Sequence, residues 1–303
     1  MAAPRSREAG ARQILAYLRL SFPFFVLRRP MPLVLGLVIT DRCNPSCRHC
    51  RVANTGRPDM TMEEIRTRLA GFNARGFREL YLEGGEPFLW RDGPFTLRDV
   101  IAEARRIGYF HVHVYTNGTL GLDAEADIFW ISLDGPGEHH DFLRGKCFDR
   151  ILQTIKSAAG KKMSIIYTVN NTNKQAIGDF LELVRDERLN VQGVMFYFHT
   201  PYYGVDELFI EREERELLTG QLIRYKKQGL PVLNSYAALR AFRNGRWRRP
   251  GPTSVIADVA GDHVCCRFGS PETCRECGFT AGIEITEAQR LRPSALANLF
   301  RFW

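Results

Sequence analysis

The cysteines of this 303-residue chain are the residues whose type and spacing point first to chemistry. All but Cys147 fall into two groups, and their members are Cys43, Cys47 and Cys50 in the first and Cys265, Cys266, Cys274 and Cys277 in the second. The first residues lack the order of a secretory signal, because arginines interrupt the apolar part and no small-residue cleavage site follows. Grouped cysteines in such a chain indicate metal ligation or thiol chemistry rather than disulfides.

The first group has the spacing of an iron-sulfur site. It lies in the segment Cys43-Asn-Pro-Ser-Cys47-Arg-His-Cys50. Thiolates are the usual ligands of iron-sulfur clusters, and three of them on a 4Fe-4S cluster leave one iron open to another ligand. Zinc is the alternative, with His49 or Cys147 as fourth ligand, although structural zinc sites usually use paired Cys-x2-Cys or His knuckles. The spacing therefore favours a cluster with one reactive iron.

Alternating strand and helix signals predict where this loop lies. Residues 33–39 form an apolar run with β-branched residues, which indicates a buried parallel strand. Further strands are predicted at 79–82, 111–115, 128–133, 163–169 and 192–198. Capping boxes at Thr61/Glu64 and Thr96/Asp99 begin two of the intervening helices, and others are predicted near 148–159, 174–187 and 212–228. The pattern predicts an α/β fold, a partial (β/α)6 TIM-like barrel, with an open doubly wound sheet as the alternative.

A second motif follows the second predicted strand. In parallel βα folds the working groups gather at the carboxyl ends of strands, and Gly84-Gly85-Glu86-Pro87 lies at such an end. Glycines there let the backbone approach a ligand closely. This motif, together with Cys-x3-Cys-x-x-Cys carrying histidine at the usual aromatic position, resembles the radical S-adenosylmethionine (radical SAM) superfamily. The resemblance covers about residues 33–200.

The resemblance implies both cofactors and a reaction. S-adenosylmethionine would chelate the open iron of a 4Fe-4S cluster on the three cysteines, and an electron donor such as flavodoxin or ferredoxin would reduce that cluster. Cleavage of the cofactor would give methionine and a 5′-deoxyadenosyl radical that abstracts hydrogen from a substrate. The implied cofactor-binding residues are Gly84, Gly85, Glu86 and Pro87 at the methionine group, and Asn117, Ser132, Asp134, Thr168 and Asn170 around the ribose and adenine.

The C-terminal cysteines predict a second metal site. The region resembles a reduced form of the accessory domains known as SPASM and twitch, which implies an auxiliary iron-sulfur cluster, with zinc as the alternative. If adjacent Cys265 and Cys266 do not both reach the metal, His263 or a substrate atom would supply the missing ligand.

Aromatic residues near the end of the sixth predicted strand are the candidate substrate contacts. Period-two alternation places Tyr197 and His199 on one side of that strand, facing the lumen, with His199 able to donate a proton. We expect Tyr202 and Tyr203 to close the end of the barrel.

The chain is predicted to have three parts: a basic N-terminal segment at 1–30, the barrel at 31–245, and a cysteine-rich extension with a helix at 246–303. Ile14, Leu18 and Phe22 recur at helical spacing beside arginines, so this first helix either rests on an anionic membrane surface or packs on the barrel. No run is long and apolar enough to span a membrane. The expected location is cytoplasmic or peripheral to a membrane, with no nucleic-acid partner.

Three functional classes remain open on the sequence. A lipid or isoprenoid substrate is favoured by the basic N-terminal helix and the apolar residues 299–303, whereas a peptide substrate is favoured by the accessory-domain resemblance; other small molecules also fit. The third class is a non-enzymatic iron-sulfur or zinc-binding protein. Such a protein has no need of the motif at 84–87, so cleavage of S-adenosylmethionine separates it from the enzymes.

Overall fold

The computed structural model describes Leu27 and residues 31–299. The remainder of the basic segment at 1–30 and residues 300–303 lie outside the described residues, so the predicted amphipathic helix and apolar C-terminus are not described here.

An eight-stranded sheet forms the centre of the molecule. Its strands are β1 Val34–Thr40, β2 Glu79–Gly84, β3 His111–Thr116, β4 Ile128–Ser132, β5 Met163–Val169, β6 Val194–Phe198, β7 Ser254–Asp258 and β8 Gly261–Val264. The first six are the six predicted strands. They are parallel and lie side by side in chain order, which is the arrangement of a singly wound barrel and not of a doubly wound sheet.

Two strands that the sequence did not predict extend this sheet. β7 pairs in parallel with β1, and β8 pairs antiparallel with β7. Both come from the C-terminal part, so the sheet crosses the boundary predicted at residue 246.

The helices of the described part connect the strands and follow the last of them. They are α1 Met62–Ala74, α2 Leu97–Ile107, α3 Gly137–Arg144, α4 Phe148–Ser157, α5 Ile177–Asp186, α6 Arg212–Lys227, α7 Tyr236–Arg243, α8 Pro271–Arg275, α9 Thr280–Gln289 and α10 Pro293–Leu299. Both predicted capping boxes are present: Thr61 with Glu64 begins α1, and Thr96 with Asp99 begins α2. Gly108 ends α2 in the left-handed conformation that favours glycine. No helix of the described part is both long enough and apolar enough to cross a bilayer.

The inner face of the sheet has its own core. Tyr197 of β6 and Trp130 of β4 belong to a buried cluster that packs against Tyr115 of β3 and Tyr81 of β2. The hydroxyl oxygens of Tyr115 and Tyr197 lie 3.3 Å apart although β3 and β6 are not neighbours. Side chains of distant strands therefore meet across an interior, as they do when a sheet curls into a barrel.

The C-terminal part joins both ends of the six-stranded arc. At one end β7 pairs with β1, as described above. At the other, the Phe198 N–H donates to the Gly278 carbonyl (2.9 Å) and the Gly278 N–H donates to Thr200 Oγ1 (2.9 Å). A Cβ at Gly278 would lie 1.9 Å from the Phe198 carbonyl oxygen, so only glycine fits this close approach. The segment with the second cysteine group is thereby held beside the lumen.

Candidate active site

A cavity of about 440 Å³ lies at the carboxyl ends of the parallel strands. Most of the predicted site residues meet on its wall. They are Cys43, Cys47, Cys50, Gly84, Gly85, Asn117, Ser132, Thr168, Tyr197 and His199. The cavity therefore brings together segments that follow β1, β2, β3, β4, β5 and β6, as the strand assignment predicted.

The loop that carries the first cysteines is fixed by two polar side chains. Asp41 accepts hydrogen bonds from the backbone N–H groups of Thr55 (2.6 Å) and Arg57 (3.2 Å). Asn54 accepts from the Cys43 N–H (2.8 Å) and donates to the Cys43 carbonyl (3.0 Å). These hydrogen bonds close the loop without the help of a metal and hold its three cysteines in one short segment.

The thiols of this loop are perturbed by their surroundings. Burial raises the pKa of Cys43 to about 12, with further contributions from Cys47 and Glu86. Burial also raises the pKa of Cys47, although the nearby Arg144 opposes the shift. Both thiols keep their protons at neutral pH unless a metal displaces them, which is the usual linkage of metal binding to thiol ionisation.

His49, at the aromatic position of the motif, lines the same cavity. Burial lowers its pKa to about 3, so it is a neutral imidazole. Its Nε2 lies 3.9 Å from a carboxylate oxygen of Asp134, and its Nδ1 has no hydrogen-bond partner among the described residues. A buried polar atom without a partner at a cavity wall leaves a hydrogen-bonding position for a ligand.

Gly84 and Gly85 lie where the end of β2 touches the chain that follows β1. A Cβ at Gly84 would be 2.3 Å from the Thr40 carbonyl oxygen, and one at Gly85 would be 2.2 Å from the Arg42 carbonyl oxygen. Gly84 also has φ +148°, in the range that favours glycine. Neither position accepts a side chain, so the motif packs the cysteine loop against β2.

Glu86 does not line the cavity but supports a residue that does. Its carboxylate accepts from Thr116 Oγ1 (2.9 Å) and from the Asn117 N–H (2.7 Å). Burial raises its pKa to about 7 in spite of these bonds. Asn117 in turn donates to Asn44 Oδ1 (2.9 Å) and lies 3.8 Å from Cys43 Sγ. Glu86 therefore positions Asn117 beside the first thiol.

Three other predicted cofactor contacts lie behind the cavity wall. Pro87 is buried in a 3-10 turn. Asp134 is fully buried, accepting from Arg144 Nε (2.5 Å) and from the Thr168 N–H (2.6 Å), so Arg144 is the residue that reaches the cavity. Strand β5 ends at Val169, so period-two alternation no longer determines the direction of the Asn170 side chain. Its side-chain oxygen accepts from the Thr172 N–H (2.9 Å). Direct cofactor contact by these residues stays a prediction.

Tyr197 and His199 both line the cavity, as their alternation predicted. His199 Nε2 lies 3.0 Å from a carboxylate oxygen of Asp206. Tyr202 lines the cavity too, and the Tyr203 hydroxyl donates to the Arg51 carbonyl (3.3 Å), which ties the chain after β6 to the cysteine loop. Both tyrosines therefore border the mouth.

Several wall residues were absent from the predicted site, among them Glu83, Tyr115 and Phe279. Glu83 and Tyr115 are two residues from Tyr81 and His113 respectively, on strands whose inner residues stack on one another. Period-two alternation from those positions would have found them once the inner face was known. Phe279 follows the last cysteine, and its ring centroid lies 4.8 Å from that of Tyr197.

The four C-terminal cysteines also gather. Burial raises the pKa of Cys265 to about 12, with the next contribution from Cys277, and raises that of Cys277 to about 11. Each of these pKa values is raised further by Cys266 and Cys274, so the four thiols lie within electrostatic range of one another. Cys265 has φ +70°, which turns the chain sharply between the adjacent cysteines. His263 is engaged elsewhere, with Nε2 3.2 Å from an Asp258 carboxylate oxygen.

A compact trio of ligand-type atoms lies near the first group, at His140, Asp141 and Cys147. Its members hold local structure: Asp141 accepts the N–H of Cys147 (3.0 Å) at the start of α4, and His140 Nδ1 accepts the Asp134 N–H (3.1 Å). Cys147 also packs against the main core, as expected for a small apolar residue.

Comparison with known proteins identifies relatives. A family model described as the Radical SAM superfamily matches residues 37–185. A GTP 3′,8-cyclase from Tolumonas auensis is 36% identical over 285 residues, which are 88% of this chain and 76% of that protein. The sporulation killing factor maturation protein SkfB of Bacillus subtilis is 27% identical over 167 residues, 50% of this chain and 39% of that protein. The chain spans less than half the length of several curated relatives that it matches.

The fold is similar to that of solved structures. Streptococcus suis SuiB bound to precursor peptide SuiA superposes with a TM-score of 0.64 at 15% identity, covering 90% of this chain and 68% of that one. At this identity the likeness shows the fold.

Proposed function

The chain belongs to the radical SAM superfamily, and from this premise we propose that it is an enzyme that cleaves S-adenosylmethionine and abstracts hydrogen from a peptide side chain. The superfamily uses a 4Fe-4S cluster and S-adenosylmethionine. The observation that carries the proposal is the meeting of Cys43, Cys47 and Cys50 with Gly84 and Gly85, the glycines of the second motif, on one cavity. A cluster carrier without enzymatic activity has no use for that second motif.

The residues present fit both cofactors. Three thiols on one wall form the donor set of a 4Fe-4S cluster with one open iron. The backbone at Gly84 and Gly85 carries no side chain, and His49 Nδ1 is a buried atom without a partner among the described residues. When bound, the cluster and S-adenosylmethionine supply a 5′-deoxyadenosyl radical, which is chemistry that the side chains themselves lack.

The chain's own contribution is to position and to exclude water. Glu86 holds Asn117, which donates toward Cys43, and Asp134 holds Arg144, which reaches the cavity near Cys47. Tyr115, Tyr197, Tyr202 and Phe279 form an aromatic wall opposite the cysteine loop. Such a wall keeps a reactive carbon in a dry and defined position.

A peptide is favoured by the size and shape of the cavity. Binding sites of drug-sized ligands measure about 300–1,000 Å³, so S-adenosylmethionine alone takes much of the 440 Å³ here. The remaining space suits one side chain, while the rest of the substrate lies across the mouth. Exposed aromatic residues, Tyr202, Tyr203 and Phe279, border that mouth. SkfB is named as a maturation protein, and SuiB was solved with a precursor peptide, which supports this class. The comparisons give no support to the lipid substrate that the sequence favoured.

A nucleoside triphosphate fits the cavity less well, although several of the relatives are GTP 3′,8-cyclases. Arg144 is the guanidinium on the wall, and its Nε is already paired with Asp134. Glu83 adds a carboxylate instead of a cation. A triphosphate is usually bound by several cationic donors, and among the described residues Arg144 is the one arginine or lysine that lines this wall.

The second cysteine group is proposed to hold an auxiliary iron-sulfur cluster, with zinc as the alternative. Cys274 and Cys277 line a second cavity of about 350 Å³ together with Arg212, Arg249 and Trp247. Positive charge at this opening favours an acidic electron donor of the flavodoxin or ferredoxin kind, because complementary charges speed association.

The test is anaerobic. The protein is reconstituted with iron and sulfide, dithionite and S-adenosylmethionine are added, and 5′-deoxyadenosine is quantified beside a Cys43→Ala, Cys47→Ala, Cys50→Ala variant. We expect product from the unmodified protein alone. A fully loaded cluster that gives no 5′-deoxyadenosine, either alone or with a library of peptides, would contradict the proposal.

The peptide is tested separately, by supplying the library with deuterated side chains. Deuterium in 5′-deoxyadenosine then identifies the peptides from which hydrogen is taken. Cleavage without transfer from any peptide would retain the radical reaction and reject this substrate class.

A further inference from the structure

Glu83 places a carboxylate inside the cavity at a position reserved for it by the neighbouring strand. Gly36 of β1 has no side chain, and a Cβ there would lie 2.4 Å from Glu83 Oε1 and 2.4 Å from Ile256 Cδ1. The carboxylate therefore occupies space that any other residue at position 36 would fill. Because Glu83 immediately precedes the glycines at 84–85, it lies next to the segment assigned to the cofactor.

This carboxylate has no hydrogen-bond or ion-pair partner among residues 31–299. The positive charge of Arg267 lowers the pKa of Glu83, but Arg267 Nη1 lies 3.5 Å from an Asp258 carboxylate oxygen and is paired there. Arg144, on the opposite wall, is paired with Asp134. Desolvation raises the pKa of Glu83 to about 7, so this carboxyl group becomes fully ionised at neutral pH only when a cation arrives beside it with a ligand.

The surroundings define the chemistry of that partner. Glu83 lines the same cavity as Tyr115 and Tyr197, whose hydroxyl oxygens lie 3.3 Å apart. Tyr202 and Phe279 complete the wall. A carboxylate surrounded by aromatic rings suits an alkylammonium or guanidinium group, because the rings attract a cation through their faces and accommodate its aliphatic stem.

Together these observations carry one inference, which rests on the proposed peptide substrate. We infer that the cavity selects a basic side chain, of the lysine or arginine class, whose charged end pairs with Glu83. Its methylene groups then lie along Tyr197 and Phe279, between Glu83 and the cysteine loop. Glu83 is on this view a specificity-determining residue, distinct from the cofactor-binding residues beside it.

The test compares two capped tripeptides, acetyl-Ala-Lys-Ala-amide and acetyl-Ala-norleucine-Ala-amide, which differ in the ammonium group. Their dissociation constants are measured by saturation-transfer NMR on the reconstituted holoenzyme with S-adenosylmethionine and without reductant. A hydrogen bond between charged partners gives a preference of about tenfold or more. We expect the lysine peptide to bind at least about tenfold more tightly to the unmodified protein.

Two variants remove the carboxylate in different ways. Glu83→Gln keeps the shape and removes the charge, and we expect the ratio of the two dissociation constants to fall close to one. Gly36→Ala crowds both Ile256 and the carboxylate, so it displaces the acid while retaining its charge, and the ratio should fall in the same direction. Glu207→Gln is the matched control, because this exposed acid lies on the loop at the mouth, and the ratio should not change.

Cofactor readouts separate the alternatives. Iron content and the dissociation constant of S-adenosylmethionine should stay unchanged in Glu83→Gln. Weaker binding of S-adenosylmethionine with an unchanged peptide ratio would assign Glu83 to the cofactor and overturn the inference. Equal binding of the two peptides by the unmodified holoenzyme would also overturn it. That result would leave the proposed function standing if 5′-deoxyadenosine still forms, whereas failure of cleavage itself would reject the proposed function.

Discussion

The two cysteine groups have the same ligand chemistry but very different surroundings. The first lies on a loop between β1 and α1, and all three of its thiols face the 440 Å³ cavity. The second follows β8 and is held against the end of β6, and its cysteines are not among the residues that line that cavity. A metal centre reacts with a substrate only where an open position meets a binding cavity. Cys274 and Cys277 do line the separate 350 Å³ cavity, but that cavity lacks the glycines of the second motif. We therefore propose a reactive centre in the first group and a supporting or electron-transferring centre in the second.

Removal of each cysteine group in turn should give the largest difference between the two regions in iron content and in 5′-deoxyadenosine formation. The Cys43→Ala, Cys47→Ala, Cys50→Ala variant should lose 5′-deoxyadenosine formation entirely, together with about four iron atoms per chain. Replacement of Cys265, Cys266, Cys274 and Cys277 by serine should also remove about four iron atoms but retain cleavage of S-adenosylmethionine. Iron and sulfide analysis, electron paramagnetic resonance and product quantification measure these effects.

Cys147→Ala supplies the control for that experiment, because Cys147 belongs to neither group and should leave the iron content unchanged. If the C-terminal variant lost cleavage while the loop cluster remained visible in its spectrum, the two centres would not be separable as the structure suggests. Loss of zinc instead of iron would identify the second centre as a zinc site.

The sequence predicts the elements of the first region well and those of the second poorly. Parallel strands buried on both faces are apolar and β-branched, so β1 to β6 were visible as runs, and two capping boxes located the helix starts. Strand β7 was not predicted, because its five residues are stabilised as a strand by pairing with β1, some 220 residues earlier in the chain.

The same reasoning explains which site residues were missed. Glu83 was passed over because both faces of β2 are covered, and hydrophobic periodicity alone does not tell the lumen from the helix-covered face. Phe279 was missed because it reaches the cavity through the long-range contact between Gly278 and the end of β6, which no local sequence pattern predicts. Asp134 was assigned to the cofactor from the resemblance, whereas the structure shows it paired with Arg144.

Substitution of Asp134 tests how much the buried ion pair of the first region contributes to the free energy of unfolding. Asp134 is fully buried, and Arg144 together with the Thr168 N–H holds its pKa below the usual range although burial opposes this. Asp134→Asn leaves a buried guanidinium without its partner, which costs about 3 kcal/mol in the free energy of unfolding. Urea unfolding of the metal-free protein at pH 7 measures the loss.

The pH dependence of that loss has a definite sign. A carboxylate whose folded pKa is depressed stabilises the fold above its unfolded pKa, and this contribution disappears as pH falls through the folded pKa. The difference between the unmodified protein and Asp134→Asn should therefore be constant from about pH 5 to pH 7 and shrink below about pH 4. Asp186→Asn, at an exposed pair with Arg185, should change stability by less than about 0.5 kcal/mol at any of these pH values. A difference that grew in acid would show that Asp134 is not the ionised partner of Arg144.

The smallest expected effect compares a glycine from each region. A Cβ at Gly85 would lie 2.2 Å from the Arg42 carbonyl oxygen, whereas one at Gly269, between the C-terminal cysteines, would meet Cys266 and Cys274 at an ordinary 3.7 Å. Gly85→Ala must push the cysteine loop away from β2, which should cost about 1–3 kcal/mol and weaken binding of S-adenosylmethionine. Gly269→Ala should stay within about 0.5 kcal/mol of the unmodified protein and leave iron loading unchanged. Thermal unfolding and cofactor titration of both variants measure these effects. Equal tolerance of alanine at the two positions would mean that the cysteine loop moves freely against β2. Close packing of the first region would then not be what positions its cofactor.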